Sequence, residues 1–233
     1  MTKRTIGILG GMGPEATILL QQRLMSALPT AEDDGDHIPL LIDMNPQVPS
    51  RIDYLINRQG ANPGPILAQM AKRLETAGAG ALAMPCNTAH HFAETIRSAV
   101  DIPFIDMVSL SAKTASEHSR VGDKIGILAS PAVRMTGLFE SALGALERKA
   151  IWPEPDDHML RAIRLIKKDG PTQEAAKILR KASADLAAQS AKVQLVACSE
   201  FSLLSSMLQR ADCHIIDTLN VLTQAVIETS MLN

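Results

Sequence analysis

Residues 81–91, ALAMPCNTAHH, are the stretch on which the expected architecture of this chain depends. The first four residues are apolar and have the composition of a short buried strand. The strand ends at Pro85, and Cys86, Asn87 and Thr88 follow it directly, ahead of a helix-like run. Ligands of open α/β sheets bind beyond the carboxyl ends of the strands, and a helix N-terminus favours an anion such as a thiolate. The stretch therefore predicts a chemical site built around a thiol.

A second stretch, residues 193–204, has the same design, VQLVACSEFSLL. An apolar strand-like run again ends at a thiol, Cys198, with Ser199 and Glu200 behind it and a helical pattern beyond. A single buried cysteine is usually a small apolar packing residue, and Cys213, which has no such counterpart, fits that interpretation. Cys86 and Cys198 stand where apolar runs meet polar residues, so we predict that both are catalytic.

Two spacings indicate an internal duplication. The sequence KIGIL at 124–128 echoes TIGIL at 5–9, 119 residues earlier, and Cys86 precedes Cys198 by 112 residues. Strand-like runs alternate with helical patterns in both halves, which is typical of parallel sheets covered by helices. We therefore predict an α/β fold of two pseudo-symmetric lobes with mostly parallel sheets, and an active site in the cleft between the lobes.

The composition excludes several classes of function. The net charge of −2, the sequence pI near 6.3 and an aromatic content of 3% argue against nucleic acid and anionic membranes as partners. Three cysteines argue against structural disulfides, and the chain start is too short for a signal peptide, so we expect a cytoplasmic protein. The cysteine and histidine spacings match no metal-site motif, so we predict no metal.

The glycine-rich run after the first strand has three interpretations. Residues 11–16 match the dinucleotide fingerprint G-x-G-x-x-A, but Asp43 lies 30 residues beyond Gly13 instead of about 20. A nicotinamide site is therefore less favoured than a tight strand-to-helix turn. The third interpretation is a turn whose backbone amides, around Met12 and Gly13, bind a substrate carboxylate.

Several polar residues have a functional and a structural interpretation. Arg51 lies in a proline-bounded loop and can bind a carboxylate with two hydrogen bonds, but it can equally be a surface arginine. His90 and His91 can support a thiolate or lie on the surface. Lys167 and Lys168 stand near a predicted helix C-terminus, where cations are favoured in any case.

Taken together, five stretches resemble the aspartate racemase branch of the Asp/Glu/hydantoin racemase superfamily, whose members use no pyridoxal phosphate. The match runs in order along essentially the whole chain. The stretches are residues 10–17 (GGMGPEAT), 45–51 (NPQVPSR), 84–90 (MPCNTAH), 166–167 (IK) and 198–200 (CSE).

The resemblance implies a role for each site residue. Cys86 and Cys198 are the two acid/base thiols. Asn87, Thr88 and Ser199 hold the α-carboxylate of the substrate. Arg51 and Lys167 grip the side-chain carboxylate, and Lys168 is the alternative to Lys167. With the other predicted contacts, the substrate-binding residues number eight. These eight are Met12, Gly13, Arg51, Asn87, Thr88, Lys167, Ser199 and Glu200. We add His90, Ser130 and Thr136 as supporting residues.

The resemblance also implies the reaction and the domain limits. We expect racemisation of aspartate first and glutamate second, by proton transfer at Cα between the two thiols, without a cofactor and in a homodimer. Maleate cis–trans isomerisation, hydantoin racemisation and malonate decarboxylation by relatives are alternatives, and a nicotinamide-dependent oxidoreductase is a weaker one. The first lobe is expected to comprise residues 1–107 and 212–233, and the second lobe residues 108–211.

The chain departs from the family pattern in its second half. Ala197-Cys-Ser-Glu-Phe stands where Gly-Cys-Thr-Glu-Ile is usual, and Val133 replaces a hydroxyl. The retained thiols favour proton transfer at carbon, whereas the changes around them leave the choice of substrate open.

Overall fold

The computed structural model describes residues 3–28, 30–155, 157–208 and 211–232. The chain forms two compact units, unit 1 (Met1–Met107 and Leu219–Asn233) and unit 2 (Val108–Thr218). The strands are β1 (Ile6–Gly10), β2 (Leu40–Met44), β3 (Ala81–Ala83), β4 (Lys124–Leu128), β5 (Lys149–Ile151), β6 (Val193–Val196) and β7 (His214–Asp217). The α-helices are α1 (Pro14–Ser26), α2 (Arg51–Leu55), α3 (Gly64–Thr76), α4 (Ala93–Arg97), α5 (Met107–Glu117), α6 (Pro131–Thr136), α7 (Leu138–Gly144), α8 (Asp157–Asp169), α9 (Gln173–Ala188), α10 (Ser199–Ser202) and α11 (Thr218–Met231). Short 3₁₀ helices cover Asp34–Asp36, Thr88–Phe92 and Ser205–Leu208.

Each unit contains one parallel sheet. The sheet of unit 1 has the order β2-β1-β3, and the bridge between Leu82 and Phe104 extends it by one short parallel contact. The sheet of unit 2 has the order β5-β4-β6-β7 and is parallel throughout. Strand and helix alternate as predicted, so the parallel α/β fold class is confirmed.

The strand register confirms the duplication. Ile6 pairs with Ala81 in unit 1, and Ile125, 119 residues after Ile6, pairs with Val193, 112 residues after Ala81. The spacing that relates these partners is also the spacing from Cys86 to Cys198. The two cysteines therefore occupy equivalent places, just beyond the carboxyl ends of β3 in unit 1 and β6 in unit 2.

Both sheets are buried by helices, as the continuous apolar runs of the strands predict. All five residues of β1 and all four of β6 are buried. One apolar core in each unit packs helices against the sheet, and each core includes one of the two strand-end cysteines. Among the described residues, every helix is too short or too polar to span a bilayer.

The structure corrects the predicted domain limit. β7 pairs with β6, so residues 214–217 complete the second sheet and the chain passes to unit 1 between Thr218 and Leu219, not after residue 211. The rest of α11 then belongs to unit 1, where the Arg4 amide donates to the carbonyl of Ser230 at 2.7 Å. The sequence did not reveal this because the last strand has the same apolar character in either lobe.

Several helices also differ from the prediction. Ser130 and Pro131 predict the start of a helix that runs to Leu146. In the structure this segment is broken at Gly137, which adopts a left-handed backbone with φ of 66°. The helix predicted after Cys86 is a 3₁₀ segment followed by the short α4. The sequence also predicts a short strand over 102–105, and the structure has only a single bridge there, at Phe104.

Candidate active site

In unit 1, the site begins at the thiol of Cys86. The residue lies three positions beyond β3 with 6% of its surface exposed, and its backbone N–H donates to the carbonyl of Met84 at 2.8 Å. Asn87, which is buried, and Thr88, which is half-buried, follow it and lead into the 3₁₀ helix Thr88–Phe92. A thiol, an amide and a hydroxyl therefore lie at the carboxyl edge of the sheet, as predicted.

His90 supports the backbone of Cys86 rather than its thiol. Its Nδ1 lies 2.8 Å from the carbonyl oxygen of Cys86, and its Nε2 lies 3.2 Å from the backbone nitrogen of Met107. Because a backbone N–H can only donate, Nε2 is the acceptor and Nδ1 carries the proton that binds the Cys86 carbonyl. Burial lowers the pKa of His90, while the Cys86 carbonyl and Asp106 act in the opposite direction.

The turn between β1 and α1 requires glycine. Gly11 has φ of +89°, and a Cβ atom there would lie 2.4 Å from the backbone carbonyl carbon of Asn45. Its N–H donates to Thr17 Oγ1 at 3.0 Å. Gly13 begins α1 as its N-cap, with Pro14 in the first turn and no side chain capping the helix. The turn therefore presents backbone amides and a helix N-terminus, which suit a carboxylate better than the distant Asp43 suits a ribose.

The Arg51 guanidinium is anchored beside this turn. Its Nη1 donates to the carbonyls of Val48 and Pro49 at 3.2 and 2.9 Å, and its Nη2 lies 3.5 Å from the carbonyl of Met12. Ser50 caps the short helix α2 that Arg51 begins, a helix the sequence did not predict. Within the described part of the chain, the Arg51 side chain forms no ion pair with a carboxylate. Its positive charge is therefore held in place beside Met12 without being neutralised.

In unit 2, Cys198 is one of three side chains in contact, together with Glu200 and Lys167. Its Sγ lies 3.0 Å from Glu200 Oε2, and the other carboxylate oxygen, Oε1, lies 3.2 Å from Lys167 Nζ. Cys198 is 7% exposed and Glu200 side chain 16%, whereas the Lys167 side chain is 48% exposed. The thiol therefore donates a hydrogen bond to a carboxylate that an ammonium group holds from the other side.

These surroundings stabilise the protonated form of Cys198. Burial raises the pKa of this thiol well above its usual range, and the negative charge and the hydrogen bond of Glu200 raise it further. The backbone N–H groups of Glu200 and Phe201 act in the opposite direction. A buried thiol beside a carboxylate holds its proton.

The other residues of unit 2 that were predicted for the site lie at different distances from the group formed by Cys198, Glu200 and Lys167. The Ser199 hydroxyl lies 3.5 Å from Glu200 Oε2. Ser130 caps α6 by accepting the N–H of Val133 at 3.3 Å, and Thr136 donates to the carbonyl of Val133 at 2.5 Å, so both hydroxyls contact backbone of their own helix. Lys168 lines a groove with Asp157, Leu160, Arg161, Arg164, Leu165 and Asp169, separate from Glu200.

The strand-end segments that carry Cys86 and Cys198 are equivalent in backbone position but differ in charge. The duplication relates Asn87 to Ser199 and Thr88 to Glu200, so a neutral hydroxyl in unit 1 corresponds to a carboxylate in unit 2. Glu200 was predicted as a substrate-binding residue, and its contact with the thiol was not predicted. The two-residue spacing from Cys198 across a helix start was the available signal. In the described residues, no group of three or more metal-binding side chains converges.

Comparison with known proteins gives a consistent result. The sequence model of the Asp/Glu/Hydantoin racemase family matches residues 9–226. The chain is 25% identical over 231 residues to the broad specificity amino-acid racemase RacX of Bacillus subtilis (strain 168), covering 96% of this chain and 97% of that protein.

Two solved structures share the fold. The aspartate racemase of Picrophilus torridus superposes with a TM-score of 0.84 at 24% identity, covering 97% of this chain and 94% of that one. An aspartate racemase homologue from Pyrococcus horikoshii OT3 gives a TM-score of 0.75 at 18% identity, covering 98% and 100%.

Proposed function

Since this chain belongs to the Asp/Glu/Hydantoin racemase family, we propose that it racemises an acidic amino acid, aspartate before glutamate, by cofactor-independent proton transfer. Its family assigns it to the racemases, which are isomerases. The observation that carries the proposal is the pair of buried thiols, Cys86 and Cys198, at equivalent strand ends of two duplicated units. A reaction that needs one base and one acid on opposite faces of the same carbon accounts for that duplication.

The chemistry requires both thiols at once. The α-proton of an amino acid is far less acidic than a thiol, so a single base in water removes it too slowly to be useful. In the proposed reaction one cysteine, as thiolate, takes the α-proton while the other, as thiol, delivers a proton to the opposite face. General acid–base steps of this kind typically contribute about 10²–10⁴-fold in rate.

Hydrogen-bond donors must stabilise the carbanion that develops at Cα. Asn87, Thr88 and Ser199 adjoin the two thiols in sequence, and we propose that they bind the α-carboxylate. The uncapped N-terminus of α1 behind Gly13 offers further backbone N–H groups of the right polarity. Fixed donors aimed at developing charge are commonly the largest electrostatic contribution to catalysis.

The side-chain carboxylate of the substrate needs a cation. We propose Arg51 for this role because its guanidinium is fixed beside Met12 by three carbonyl contacts and pairs with no carboxylate among the described residues. Lys167 is the second cation, and it contacts Glu200. Binding of a dicarboxylate would then draw Lys167 toward the substrate and away from Glu200.

A broad substrate range is a second candidate, favoured by one observation. Lys167 is already paired with Glu200, so one of the two cations that would select for an acidic side chain is shared within the protein. The relative from Bacillus subtilis, described as a broad specificity amino-acid racemase, is consistent with this candidate.

Proton exchange in D₂O tests the proposal and separates the candidates. Purified enzyme under reducing conditions, without added cofactor, is incubated with L-aspartate, L-glutamate and a series of uncharged L-amino acids, and the α-proton is followed by NMR. We expect loss of the aspartate α-proton with appearance of D-aspartate. Exchange of the uncharged substrates at comparable rates would support the broad range instead, and no exchange with any amino acid would contradict the racemase proposal.

A further inference from the structure

Glu200 contacts the Cys198 thiol, whereas in the part of the chain that the structure describes no carboxylate contacts the thiol of Cys86. The position related to Glu200 by the duplication is Thr88, whose neutral hydroxyl replaces the carboxylate. The two thiols, which are equivalent in backbone position, therefore have different electrostatic surroundings. Two thiols that exchange acid and base roles do not need different surroundings. The Glu200 carboxylate therefore has a role that the two-thiol reaction alone does not explain.

The charged side chains that contact Cys198, Glu200 or another residue of α10 belong to three elements of unit 2. Glu200 lies on α10 and Lys167 on α8, and Asp217 at the end of β7 accepts a hydrogen bond from Ser202 of α10 at 2.7 Å. Of these side chains, Glu200 contacts the Cys198 sulfur directly, through Oε2 at 3.0 Å. Lys167 reaches the sulfur only through Glu200, since its Nζ binds the far carboxylate oxygen.

We propose that Glu200 is a positioning residue that fixes the starting protonation of the site by holding Cys198 as a thiol, and that Lys167 tunes this effect. The inference rests on the proposed racemase function. In the substrate-free enzyme Cys198 then carries the proton that is delivered, and Cys86 begins as the base, in its thiolate form.

The proton balance of one turnover follows. The Cα–H bond breaks and its proton forms an S–H bond at Cys86, while the S–H bond at Cys198 breaks and its proton forms the new Cα–H bond. The enzyme leaves this step with the proton on Cys86 and a thiolate at Cys198 beside Glu200. That form is disfavoured by the adjacent negative charge. The enzyme resets when Cys86 loses its proton to water and Cys198 takes up a proton from water.

Titration of Cys198 alone tests this inference without relying on activity. In the full-length Cys86→Ser/Cys213→Ser background, thiolate formation is followed by ultraviolet absorbance, and the cysteine-free variant supplies the baseline that removes the signal of Tyr54. We expect Glu200→Gln to increase the thiolate fraction at a fixed alkaline pH about tenfold, because the adjacent negative charge is removed. An unchanged thiolate fraction in folded Glu200→Gln would overturn the proposal.

A second variant gives a change of opposite sign. Lys167→Met leaves the carboxylate of Glu200 uncompensated, and we expect the thiolate fraction of Cys198 to fall below that of the parent. Lys167 is about half-exposed, so its replacement leaves the core intact. A rise in the thiolate fraction in this variant would contradict the arrangement, whereas general loosening of the unit would move both variants in the same direction.

A matched control and a separate assay keep the two proposals apart. Glu174→Gln removes another carboxylate of unit 2, one paired with Arg161 on the exposed helix surface, and we expect it to leave the titration of Cys198 unchanged. The proton exchange assay reports on the racemase function alone. Altered titration without exchange of any amino acid would refute the function and keep the role of Glu200, and normal exchange with unaltered titration would do the reverse.

Discussion

The imidazole of His90 lies 2.8 Å from the carbonyl oxygen of Cys86 and binds it through Nδ1. The other ring nitrogen accepts the backbone N–H of Met107 at 3.2 Å, at the start of α5. One neutral imidazole thus joins the residue bearing the thiol to the segment where the chain leaves unit 1. A second proton on the ring would remove the acceptor that Met107 needs.

His90 makes the stability of the protein dependent on pH. Burial lowers the pKa of His90 in the folded state, while the unfolded chain keeps the usual value of about 6.5. Below that value the unfolded state binds more protons, so stability is fully present above about pH 6.5 and falls as the pH drops toward the folded pKa. We expect the free energy of unfolding by urea to decrease over this window, and to decrease less steeply in His90→Asn.

The neighbouring histidine provides the control for this prediction. His91 is exposed and its ring contacts Phe92 edge-on. We expect His91→Asn to keep the pH dependence of the parent. Equal slopes for the parent and His90→Asn would show that protonation of His90 does not limit stability in acid.

Gly11 and Gly78 both have a positive φ, and an alanine at each distinguishes the cost of backbone strain from the cost of a steric clash. Gly11 and Gly78 have φ of +89° and +99°, but an added Cβ meets the backbone of Asn45 at Gly11 and nothing within 4 Å at Gly78. We expect Gly78→Ala to cost about 1–2 kcal/mol of stability, the price of a left-handed backbone. Gly11→Ala should cost roughly 1–3 kcal/mol more because the turn must move.

Urea unfolding of both alanine variants measures these two costs. Gly11→Ala should also lose racemase activity in its folded fraction, because the turn carries Met12 and begins α1. Equal stability losses at Gly11 and Gly78 would mean that the close approach to Asn45 does not constrain the turn.

Arg51 tests recognition of the substrate side chain. The guanidinium is held beside Met12, and we expect Arg51→Gln to raise KM for aspartate by at least about tenfold, the loss of one charge-assisted pair. KM for an uncharged amino acid should change much less. Arg73→Gln, which removes an exposed pair with Asp43 in the same unit, is the matched control. An unchanged KM for aspartate in Arg51→Gln would exclude Arg51 from substrate binding.

The adjacent lysines Lys167 and Lys168 make a similar comparison. Lys167 contacts Glu200, whereas Lys168 lines a separate groove on α8. We expect Lys167→Met to lower kcat/KM for aspartate much more than Lys168→Met does. Steady-state kinetics with both enantiomers includes an internal check, because enantiomers have equal free energies in water and kcat/KM must be the same in both directions. A larger effect at Lys168 would reverse the assignment.

Much of the fold followed from local patterns in the sequence. The apolar runs of β1, β3, β4 and β6 and the two fixed spacings gave the parallel sheets and the duplication, because continuous burial leaves no polar alternation in such strands. The limit at residue 218 did not follow, since pairing of β7 with β6 is a long-range choice. Cys86 and Cys198 were predicted as site residues from local sequence, because each follows the end of an apolar strand-like run.

The contacts around Cys86 and Cys198 depend on side-chain geometry that residue spacing does not encode. His90 was identified as a supporting residue, but its bond to the Cys86 carbonyl and its link to Met107 require a 3₁₀ turn that the helical pattern did not indicate. Glu200 was placed near substrate, and its bond to the Cys198 thiol depends on the side-chain conformation at the first turn of α10.

Activity and proton exchange in the single variants Cys86→Ser and Cys198→Ser test the central claim most directly. Each variant is incubated with L- and D-aspartate in D₂O, with circular dichroism to confirm folding, and both racemisation and loss of the α-proton are measured. We predict that neither variant racemises aspartate, because each lacks one of the two proton carriers. Racemisation at the parental rate in either folded variant would contradict the two-thiol account.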